Sequence, residues 1–205
     1  MRVILPVVLF FGSLACFGQK FEVGLCASYL RTDIKYKFAV SEYGHVDEDI
    51  SATRYHPIHS YGFGLHSAKN VYNKLWLGMD LLLSRKGSFW YHPVSLANYY
   101  ETCWYIDIPL YLMYKPFNFL QLKAGIIHSF RAKENQWTLD FKSVYDPLWY
   151  AGLAGSWRKV FLSVDFSRSI GSLGHIVRYS EGEPYKTKFF NQVVSLSLGY
   201  NFIKK

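Results

Sequence analysis

Apolar and polar residues alternate with a period of two along most of the chain. Within residues 75–84, for example, Leu77 and Leu81 share one face of the pattern, and Gly78 and Asp80 share the other. Successive side chains of a β-strand point to opposite faces, so this period predicts strands, whereas the spacing typical of helices is nearly absent. Eight such segments follow one another, at residues 21–31, 58–67, 75–84, 104–114, 120–126, 149–154, 160–167 and 194–202.

The connections between these segments alternate strictly between short and long. The short ones are residues 69–73, 115–118 and 155–159. The long ones are residues 32–57, 86–103, 131–146 and 171–189. An outer-membrane β-barrel has an even number of strands, short turns on its periplasmic rim and longer loops on the other rim, so both features predict this architecture.

The composition of each face of the predicted strands indicates whether that face meets lipid or the barrel interior. One face stays apolar over about nine to eleven residues in the better strands, the length of a tilted strand that crosses a bilayer. The other face carries mainly Gly, Ser, Ala and Asn, which suit the narrow interior of an eight-stranded barrel. Because a strand edge cannot stay unpaired in lipid, we expect the eight antiparallel strands to close on themselves.

A few charged side chains fall on the small-residue face and are predicted to lie inside the barrel. Unpaired carboxylates are costly to bury, so we expect hydrogen-bonded pairs with Lys123, Lys115, Arg131 or tyrosines. A network that fills the lumen is the main interpretation, and a path for protons or a ligand is the alternative. Pro109 lacks an N–H group, so we expect it at a bulge or at a weakly paired position. The charged residues are Glu22, Asp80, Asp107, Lys115, Lys123 and Asp165.

Aromatic residues crowd the ends of the predicted strands. Amphipathic rings prefer the level of the lipid headgroups, so this clustering predicts two interfacial girdles. An ordinary aromatic core is the alternative interpretation. The residues concerned are Tyr29, Tyr72, Trp90, Tyr91, Tyr99, Tyr100, Trp104, Tyr114, Phe117, Trp149, Trp157, Tyr200 and Phe202.

The composition of the 205 residues narrows the class of protein further. Hydrophobic residues make up 50% of the chain and aromatic residues 19%, while the mean hydropathy is +0.00. The aromatic content excludes disorder, three Cys residues are too few for a disulfide scaffold, and a single long apolar run excludes a multi-span helical membrane protein. A mean hydropathy of zero is expected when lipid-facing and lumen-facing residues alternate.

The one long apolar run, residues 1–18 (MRVILPVVLFFGSLACFG), has the layout of a secretory signal peptide. A positive charge precedes the apolar stretch and small residues follow it, so we predict cleavage after Gly18. Residues 19–205 would then form one barrel domain. Lipidation of Cys16 is an alternative, although Ser13 stands where a Leu is expected, and a buried N-terminal helix is a further one.

The exported protein is basic. The chain has 23 Lys and Arg residues against 15 Asp and Glu residues, and removal of Arg2 leaves 22 basic residues, a net charge of +7. The basic residues are scattered rather than clustered. This distribution favours a surface that faces anionic lipid or polysaccharide and disfavours nucleic acid as a partner.

Four segments carry strand motifs in a recognisable order. Residues 79–87 (MDLLLSRKG) contain an acidic–Leu–Leu–x–Ser–x–Lys–Gly motif, and residues 105–115 (YIDIPLYLMYK) a Tyr–Ile–acidic–Ile–Pro–Leu motif. Residues 122–125 (LKAG) and 194–202 (VSLSLGYNF) follow. Together these segments resemble the PorT-like outer-membrane β-barrel family of Bacteroidetes-type bacteria, which are OmpX-like eight-stranded barrels. Asp107 departs from the family pattern, in which Glu is commoner at this position.

The resemblance implies a location in the bacterial outer membrane. Some members are associated with the secretion apparatus for C-terminally tagged proteins, and most have no assigned activity. It also implies that barrel-assembly machinery recognises the final strand near Phe202. The expected partners are therefore this machinery together with outer-membrane lipid and lipopolysaccharide, with no nucleic acid and no specific protein partner named.

Residues that could support catalysis are few. His128 and Ser129 are the nearest candidates for a hydrolytic pair, but adjacent residues of a strand point to opposite faces. Asp47, Glu48 and Asp49 form an acidic run in the first long connection, where such a run is usually a solvated surface. We therefore assign no catalytic residue and predict that the protein is not an enzyme.

Metal and disulfide sites are also weakly indicated. His45, His56 and His59 could bring three metal ligands from the first long connection and its edge, but their spacing is irregular. Cys26 and Cys103 both face inward at different heights, so we expect no disulfide between them. We assign no metal-binding or cofactor-binding residue.

The sequence thus predicts an outer-membrane barrel with a non-enzymatic structural, binding or secretion-accessory role. Two alternatives stay open. A barrel enzyme that acts on lipid or peptide would need a His, a Ser and an acid that converge at one rim. A secreted lipocalin-like binder would need an apolar lumen and a water-compatible exterior.

Overall fold

The computed structural model describes residues 20–37, 54–92, 97–135, 145–171, 174–180 and 183–204. Within these ranges the chain forms antiparallel strands, and no described helix is long and apolar enough to cross a bilayer. The described strands are β1 (Phe21–Lys37), β2 (Arg54–Tyr72), β3 (Leu75–His92), β4 (Ala97–Phe117), β5 (Leu120–Asn135), β6 (Tyr145–Trp157), β7 (Val160–Ser169), β8 (Gly174–Ser180) and β9 (Glu183–Lys204).

Eight of these strands close into a barrel. Strands β1 to β7 pair in chain order, β9 pairs with β7, and β9 also pairs with β1 to complete the ring. The closing seam runs from Glu22 opposite Lys204 to Lys37 opposite Lys188. Closure satisfies the backbone groups of both edge strands, which lipid could not do. The predicted eight-stranded antiparallel barrel is therefore confirmed.

The additional strand, β8, continues the line of β7 along β9. Arg168 pairs with Gln192, and the next pair beyond the break joins Gly174 to Phe189. Between these two pairs lie five residues on the β7–β8 side, 169–173, and only two on β9, 190–191, so the β7–β8 side has three extra residues. The extra residues break the seventh barrel strand, so the β8–β9 hairpin extends beyond the wall formed by β6 and β7.

Two-residue turns join the strands on one rim, as the short connections predict. They are residues 73–74, 118–119 and 158–159. Asn73 and Arg158 have φ angles of 47° and 54°, the left-handed conformation that tight β-hairpin turns require at their first central position. Short turns mark the periplasmic rim of an outer-membrane barrel, so this end faces the periplasm.

The connections on the opposite rim are shorter than predicted. The predicted connection at residues 86–103 is mostly strand, because β3 runs to His92 and β4 begins at Ala97. Likewise, β1 runs to Lys37 and β5 runs to Asn135. Backbone pairing holds these extensions together and does not depend on alternating apolar side chains. The predicted boundaries on this rim are therefore wrong.

The outward face of the barrel is an exposed apolar belt. Leu112 is 60% exposed and Leu198 is 57% exposed, which is expected of side chains that meet lipid. This arrangement confirms the predicted apolar face. Members of the belt are Leu25, Phe63, Leu65, Leu75, Leu77, Ile106, Leu110, Leu112, Leu122, Ile126, Leu153, Leu162, Val164, Val194, Leu196 and Leu198.

Exposed aromatic side chains border this belt at both ends, which confirms most of the predicted girdles. Amphipathic rings at this level meet both lipid chains and headgroups. The side chains of Trp90, Tyr91, Tyr99 and Tyr100 lie outside the described part of the chain. The exposed rings are Tyr29, Tyr61, Tyr72, Tyr114, Phe117, Phe119, Trp149, Trp157, Tyr200 and Phe202.

Pro109 lies on the buried face of β4 and interrupts its ladder with β3. The pairs Met79–Leu110 and Leu82–Asp107 keep one register, and the ladder skips the two positions between them. Proline has no N–H group to donate, which accounts for the gap. Of the two expectations for Pro109, the weakly paired position is confirmed and the bulge is not found.

Candidate functional site in the barrel interior

Side chains fill the interior of the barrel, and we treat this interior as the candidate functional site. The lower level is the half next to the short turns, and the upper level is the half towards the other rim. Tyr111, in the lower level, is 2% exposed, and its ring meets that of Tyr150 edge to face with centroids 5.7 Å apart. Rings of this size fill the lower level with a compact cluster. Its members are Ala68, Trp76, Tyr111, Met113 and Tyr150.

Two glycines make room for rings of the lower level. Gly78 is the direct cross-strand partner of Tyr111, and Gly199 is the partner of Phe161. A Cβ atom added to either glycine would lie 2.1 Å from the ring of its partner. Since such contacts do not occur, only glycine lets each ring cover the neighbouring backbone.

Asp80 is held by two neighbours in the lower level. Tyr111 Oη donates a hydrogen bond to Asp80 Oδ1 at 3.0 Å, and His66 Nδ1 lies 2.9 Å from the same oxygen. The His66 ring packs against Phe161 with centroids 4.8 Å apart. The predicted tyrosine partner of Asp80 is thus confirmed, whereas His66 is a partner that the strand pattern did not single out.

Glu22 forms an ion pair close to the periplasmic rim. Its Oε1 accepts a hydrogen bond from Lys115 Nζ at 2.9 Å and lies 3.7 Å from Lys204 Nζ. Lys115 Nζ also lies 3.6 Å from the centroid of the Trp76 ring. Of the expected partners for the inward carboxylates, Lys115 is the one that pairs with Glu22. The pair joins β1 to β4 across the lumen, because these strands are not neighbours in the ring.

Asp107 is the centre of the upper level. Its Oδ1 lies 2.7 Å from Lys86 Nζ and accepts a hydrogen bond from Ser129 Oγ at 2.5 Å. Its Oδ2 accepts a hydrogen bond from Ser84 Oγ at 2.5 Å. Lys86 Nζ donates a further hydrogen bond to Ser129 Oγ at 2.9 Å. All four residues are buried, so the two charges compensate each other within a hydrogen-bonded network.

A second carboxylate of the upper level, Asp146, is bound by an amide and a hydroxyl. Its Oδ2 accepts hydrogen bonds from Asn191 Nδ2 at 2.8 Å and from Ser169 Oγ at 3.0 Å. The backbone N–H of Asn191 donates to Ser169 Oγ at 2.8 Å. These bonds connect β6, β7 and β9 above the level of the belt's centre.

A small cavity of about 80 Å³ lies between the two levels. Lys123, Asp165 and Pro109 belong to its lining. Asp165 Oδ2 accepts a hydrogen bond from Ser163 Oγ at 2.8 Å, while Lys123 Nζ lies 5.6 Å from the centroid of the Phe161 ring. The space suits a few water molecules and is small compared with the sites that hold drug-sized ligands.

Lys86 is a further interior residue that the strand pattern did not single out. The third predicted strand ends at Ser84, so Lys86 was assigned to a long connection. Continuing the alternation from Asp80 through Ser84 by one more step places Lys86 on the inner face. Asp107 therefore takes its cation from β3, and the expectation that Lys115, Lys123 or Arg131 would supply it is wrong for this carboxylate.

The structure separates the two residues considered for a hydrolytic pair. Ser129 is fully buried and hydrogen-bonded to Asp107 and Lys86. His128 is on the other face of β5, with its Nδ1 2.7 Å from Tyr145 Oη. The two side chains therefore lie on opposite faces of β5, as expected for adjacent residues of a strand.

The remaining sequence candidates are dispersed. His59 Nδ1 lies 2.5 Å from Tyr29 Oη, and the His56 ring packs against Phe89 with centroids 5.7 Å apart. In the described part of the chain, no cluster of three or more His, Cys, Asp or Glu side chains could hold a metal ion. Cys26 and Cys103 are buried and form no disulfide with each other. The candidates outside the described residues are His45, Asp47, Glu48, Asp49, Cys16 and the predicted signal peptide, residues 1–18.

Comparison with solved structures adds to this description of the fold. No protein-family model matches the chain. No curated protein matches it either. The fold is similar to that of the outer membrane protein OprG from Pseudomonas aeruginosa, with a TM-score of 0.55 and 12% sequence identity over 90% of this chain and 96% of that one. The chain has the fold of an eight-stranded outer-membrane barrel.

Two further solved structures are similar at lower TM-scores. Neisserial surface protein A gives a TM-score of 0.45 with 9% identity over 88% of this chain and 97% of that one. Ail, the attachment invasion locus protein of Yersinia pestis, solved with the heparin analogue sucrose octasulfate, gives 0.42 with 10% identity over 88% and 99%. The apolar belt around the closed barrel makes this chain an integral protein of the bacterial outer membrane.

Proposed function

We propose that this chain is a non-enzymatic, PorT-like outer-membrane protein that acts through its surface outside the membrane, in a structural, binding or secretion-accessory role. The observation that carries this proposal is the Asp107 network. Its carboxylate, its lysine and its two serines satisfy one another within the upper level. Groups that are fully satisfied by each other are suited to holding strands together and not to turning over a substrate.

A closed interior supports the same proposal. The lower level is occupied by aromatic rings, and the Glu22–Lys115 ion pair crosses the lumen near the periplasmic rim. Eight strands leave an interior just wide enough for side chains to fill. We therefore expect no open pore for solutes.

The charged interior argues against a lipocalin-like binder. Such a protein would bind its ligand in an apolar lumen and present a polar exterior to water. Here Glu22, Asp80 and Asp107 lie inside, and the exterior carries the apolar belt.

The strands that continue past the belt support a binding or accessory role. On β3, the strand continues from Lys86 to His92, a length of about 20 Å at 3.3 Å per residue. Their partners on β4 continue to Ala97. A rigid sheet that projects from the membrane is a suitable platform for a protein partner.

Export and assembly complete the proposal. Residues 1–18 act as a cleaved signal peptide, and barrel-assembly machinery recognises the end of β9, which carries the exposed Phe202. Outer-membrane lipid and lipopolysaccharide surround the inserted barrel.

Three measurements test the proposal. The unboiled protein is expected to migrate differently from the boiled protein on a detergent gel and to fractionate with the outer membrane. In planar bilayers the purified protein is expected to give no ion-conducting openings. Recovery of the protein as a soluble periplasmic species would overturn the membrane assignment, and stable conductance would overturn the closed interior.

The accessory role needs a separate experiment. Deletion of the gene in its own bacterium is expected to reduce the secretion of C-terminally tagged proteins, and a copy of the gene should restore it. Normal secretion in the deletion strain would exclude this role and leave the structural or binding roles.

A further inference from the structure

Basic residues that are scattered along the sequence come together at the periplasmic rim of the barrel. This rim comprises the three short turns and the strand ends beside them, residues 20–22, 69–75, 115–120, 155–160 and 202–204. Seven of these residues are Lys or Arg and one, Glu22, is acidic, which gives the rim a net charge of +6. Residues 19–205 as a whole have a net charge of +7, with 22 basic residues against 15 acidic ones. The basic residues are therefore scattered in the sequence but clustered in the fold, because successive hairpins turn at the same rim.

A groove of about 520 Å³ lies between two of the turns, and we call it the rim groove. Phe119, in the β4–β5 turn, and Trp157, beside the β6–β7 turn, form its apolar part and are 63% and 69% exposed. Arg158, Lys159 and Lys204 form its cationic part. The described lining contains no carboxylate, so the rim groove combines aromatic surface with positive charge.

Hydrogen bonds hold the walls of the rim groove in place. The Ser156 N–H donates to the Phe119 carbonyl at 2.8 Å, and Ser156 Oγ donates to the Asn118 carbonyl at 3.1 Å. Lys204 Nζ donates to the Arg158 carbonyl at 2.8 Å and ties the end of β9 to the β6–β7 turn. The rim groove is therefore largely formed before any ligand arrives, which lowers the cost of binding.

The cations of the rim groove keep donors for a ligand. The Arg158 guanidinium carbon lies 4.7 Å from the centroid of the Trp157 ring. A stacked guanidinium still presents its N–H edge, which can bind a carboxylate through two parallel hydrogen bonds. No described carboxylate pairs with Arg158 or Lys159. The one carboxylate of the rim, Glu22, accepts its hydrogen bond from Lys115 at 2.9 Å inside the lumen.

The rim groove passes over the end of the barrel wall. Trp157 is on the outward face of β6, whereas Lys204 is the pairing partner of Glu22, whose carboxylate lies in the lumen. The lining therefore reaches from the outside of the wall to the mouth of the lumen. A lipid headgroup would lie beside the wall, whereas an extended peptide can cross its end.

We propose that the rim groove binds an acidic, extended segment of a periplasmic protein. The carboxylates of this segment contact Arg158 and Lys159, and its apolar side chains pack against Phe119 and Trp157. The charge of the rim attracts acidic partners and disfavours basic ones. This inference extends the proposed binding role to the periplasmic side, and it rests on the proposed function only in that the short turns must face the periplasm.

The test uses the full barrel in nanodiscs of phosphatidylcholine, a lipid without net charge. It measures the binding of a fluorescein-labelled peptide of Glu and Phe residues and of a matched peptide with Gln in place of each Glu. The wild type is expected to bind the Glu peptide at least about tenfold more tightly, because hydrogen bonds between charged groups are strong. The double variant Arg158→Gln/Lys159→Gln should lose this difference.

A matched control removes two cations of the same rim that do not line the rim groove. Lys20→Gln/Lys74→Gln changes the charge of the rim by the same amount. At physiological salt, screening weakens the attraction of charges that do not contact the peptide, so this variant should keep most of the preference. All variants should retain the heat-dependent gel shift, and the single variant Lys159→Gln replaces the double one if the latter fails to fold.

Several outcomes would overturn the proposal. They are equal binding of the two peptides by the wild type, an undiminished preference in the Arg158/Lys159 variant, or an equal loss in the control. Retention of phosphatidylglycerol by the wild type but not by this variant, in native mass spectrometry, would instead assign the rim groove to an anionic lipid. Each of these can occur while the wild type still shows the gel shift, so they leave the membrane assignment intact. Loss of the gel shift by the wild type itself would count against the proposed function.

Discussion

The two levels of the interior solve the same packing problem with different chemistry. The lower level is filled by large rings, with Tyr111 and Phe161 covering glycines on neighbouring strands. The upper level is filled by hydroxyls around charged groups, with Asp107 held by Lys86, Ser84 and Ser129. A small cavity of about 80 Å³ lies between the two levels.

The difference shows that two kinds of interaction stabilise the same barrel wall. Rings depend on shape, so the lower level is sensitive to added volume. A buried ion pair depends on having both partners, so the upper level is sensitive to the loss of either one. The following four predictions separate these two kinds of dependence.

The largest effect is expected from Lys86→Met. The substitution leaves the Asp107 carboxylate buried without its cation, which costs about 3–5 kcal/mol of unfolding free energy. Urea unfolding of the barrel in phospholipid, followed by the gel shift, measures this loss. The double variant Lys86→Met/Asp107→Leu should recover most of it, because it removes both charges. If the double variant is less stable than the single one, the ion pair is not the source of the loss.

The next effect is expected from Gly78→Ala in the lower level. The added Cβ meets the Tyr111 ring at 2.1 Å, and overpacking of this kind costs about 1–3 kcal/mol. Gly155→Ala is the matched control, since its nearest neighbour would be the Phe119 carbonyl oxygen at 3.9 Å. Both variants are compared by urea midpoint. Equal stability of the two would show that the ring does not press on Gly78.

A smaller effect is expected from Glu22→Gln at the periplasmic rim. The Lys204 side chain is 34% exposed and that of Lys115 is 12% exposed, so water compensates part of the lost pairing. We expect a loss of about 1–2 kcal/mol, between the values for exposed and buried pairs. The loss should shrink at high salt, when measured by urea unfolding at two ionic strengths. A loss of stability that does not depend on salt would mean that this pair behaves like the buried Lys86–Asp107 pair of the upper level.

The smallest effect is expected from Pro109→Ala, between the two levels. Alanine adds an N–H group at the gap in the β3–β4 ladder and also makes the unfolded chain more flexible. These contributions oppose each other, so the change in unfolding free energy should stay within about 1 kcal/mol. A larger decrease in the urea concentration at the unfolding midpoint would mean that the Pro109 ring stabilises the wall of the cavity, in addition to lying at the gap in the ladder.

The architecture could be predicted from the sequence because the polarity of each strand residue indicates which face of the sheet it lies on. Leu77 and Leu81 alternate with Gly78 and Asp80. This alternation predicts a strand with one face towards lipid and the other towards the lumen. The barrel follows from these strands, because lipid leaves no other way to satisfy their edges.

The parts that could not be predicted depend on contacts between distant residues. Lys86 lies beyond the last apolar residue of its strand, where backbone pairing continues without an apolar pattern. The break between β7 and β8 depends on three extra residues opposite β9, which periodicity does not reveal. The partners of Asp80 and Asp107 likewise depend on how strands align around the ring, which the sequence of one strand does not contain.

The two buried cysteines have a practical consequence. Cys26 pairs with Gly64 and Gly199 in the lower level, whereas Cys103 pairs with Lys86 in the upper level. Each thiol is therefore a built-in reporter of one level, because a maleimide reaches it only when that part of the wall opens. The order in which the two are alkylated during slow denaturation would reveal whether the molecule comes apart from one end or all at once.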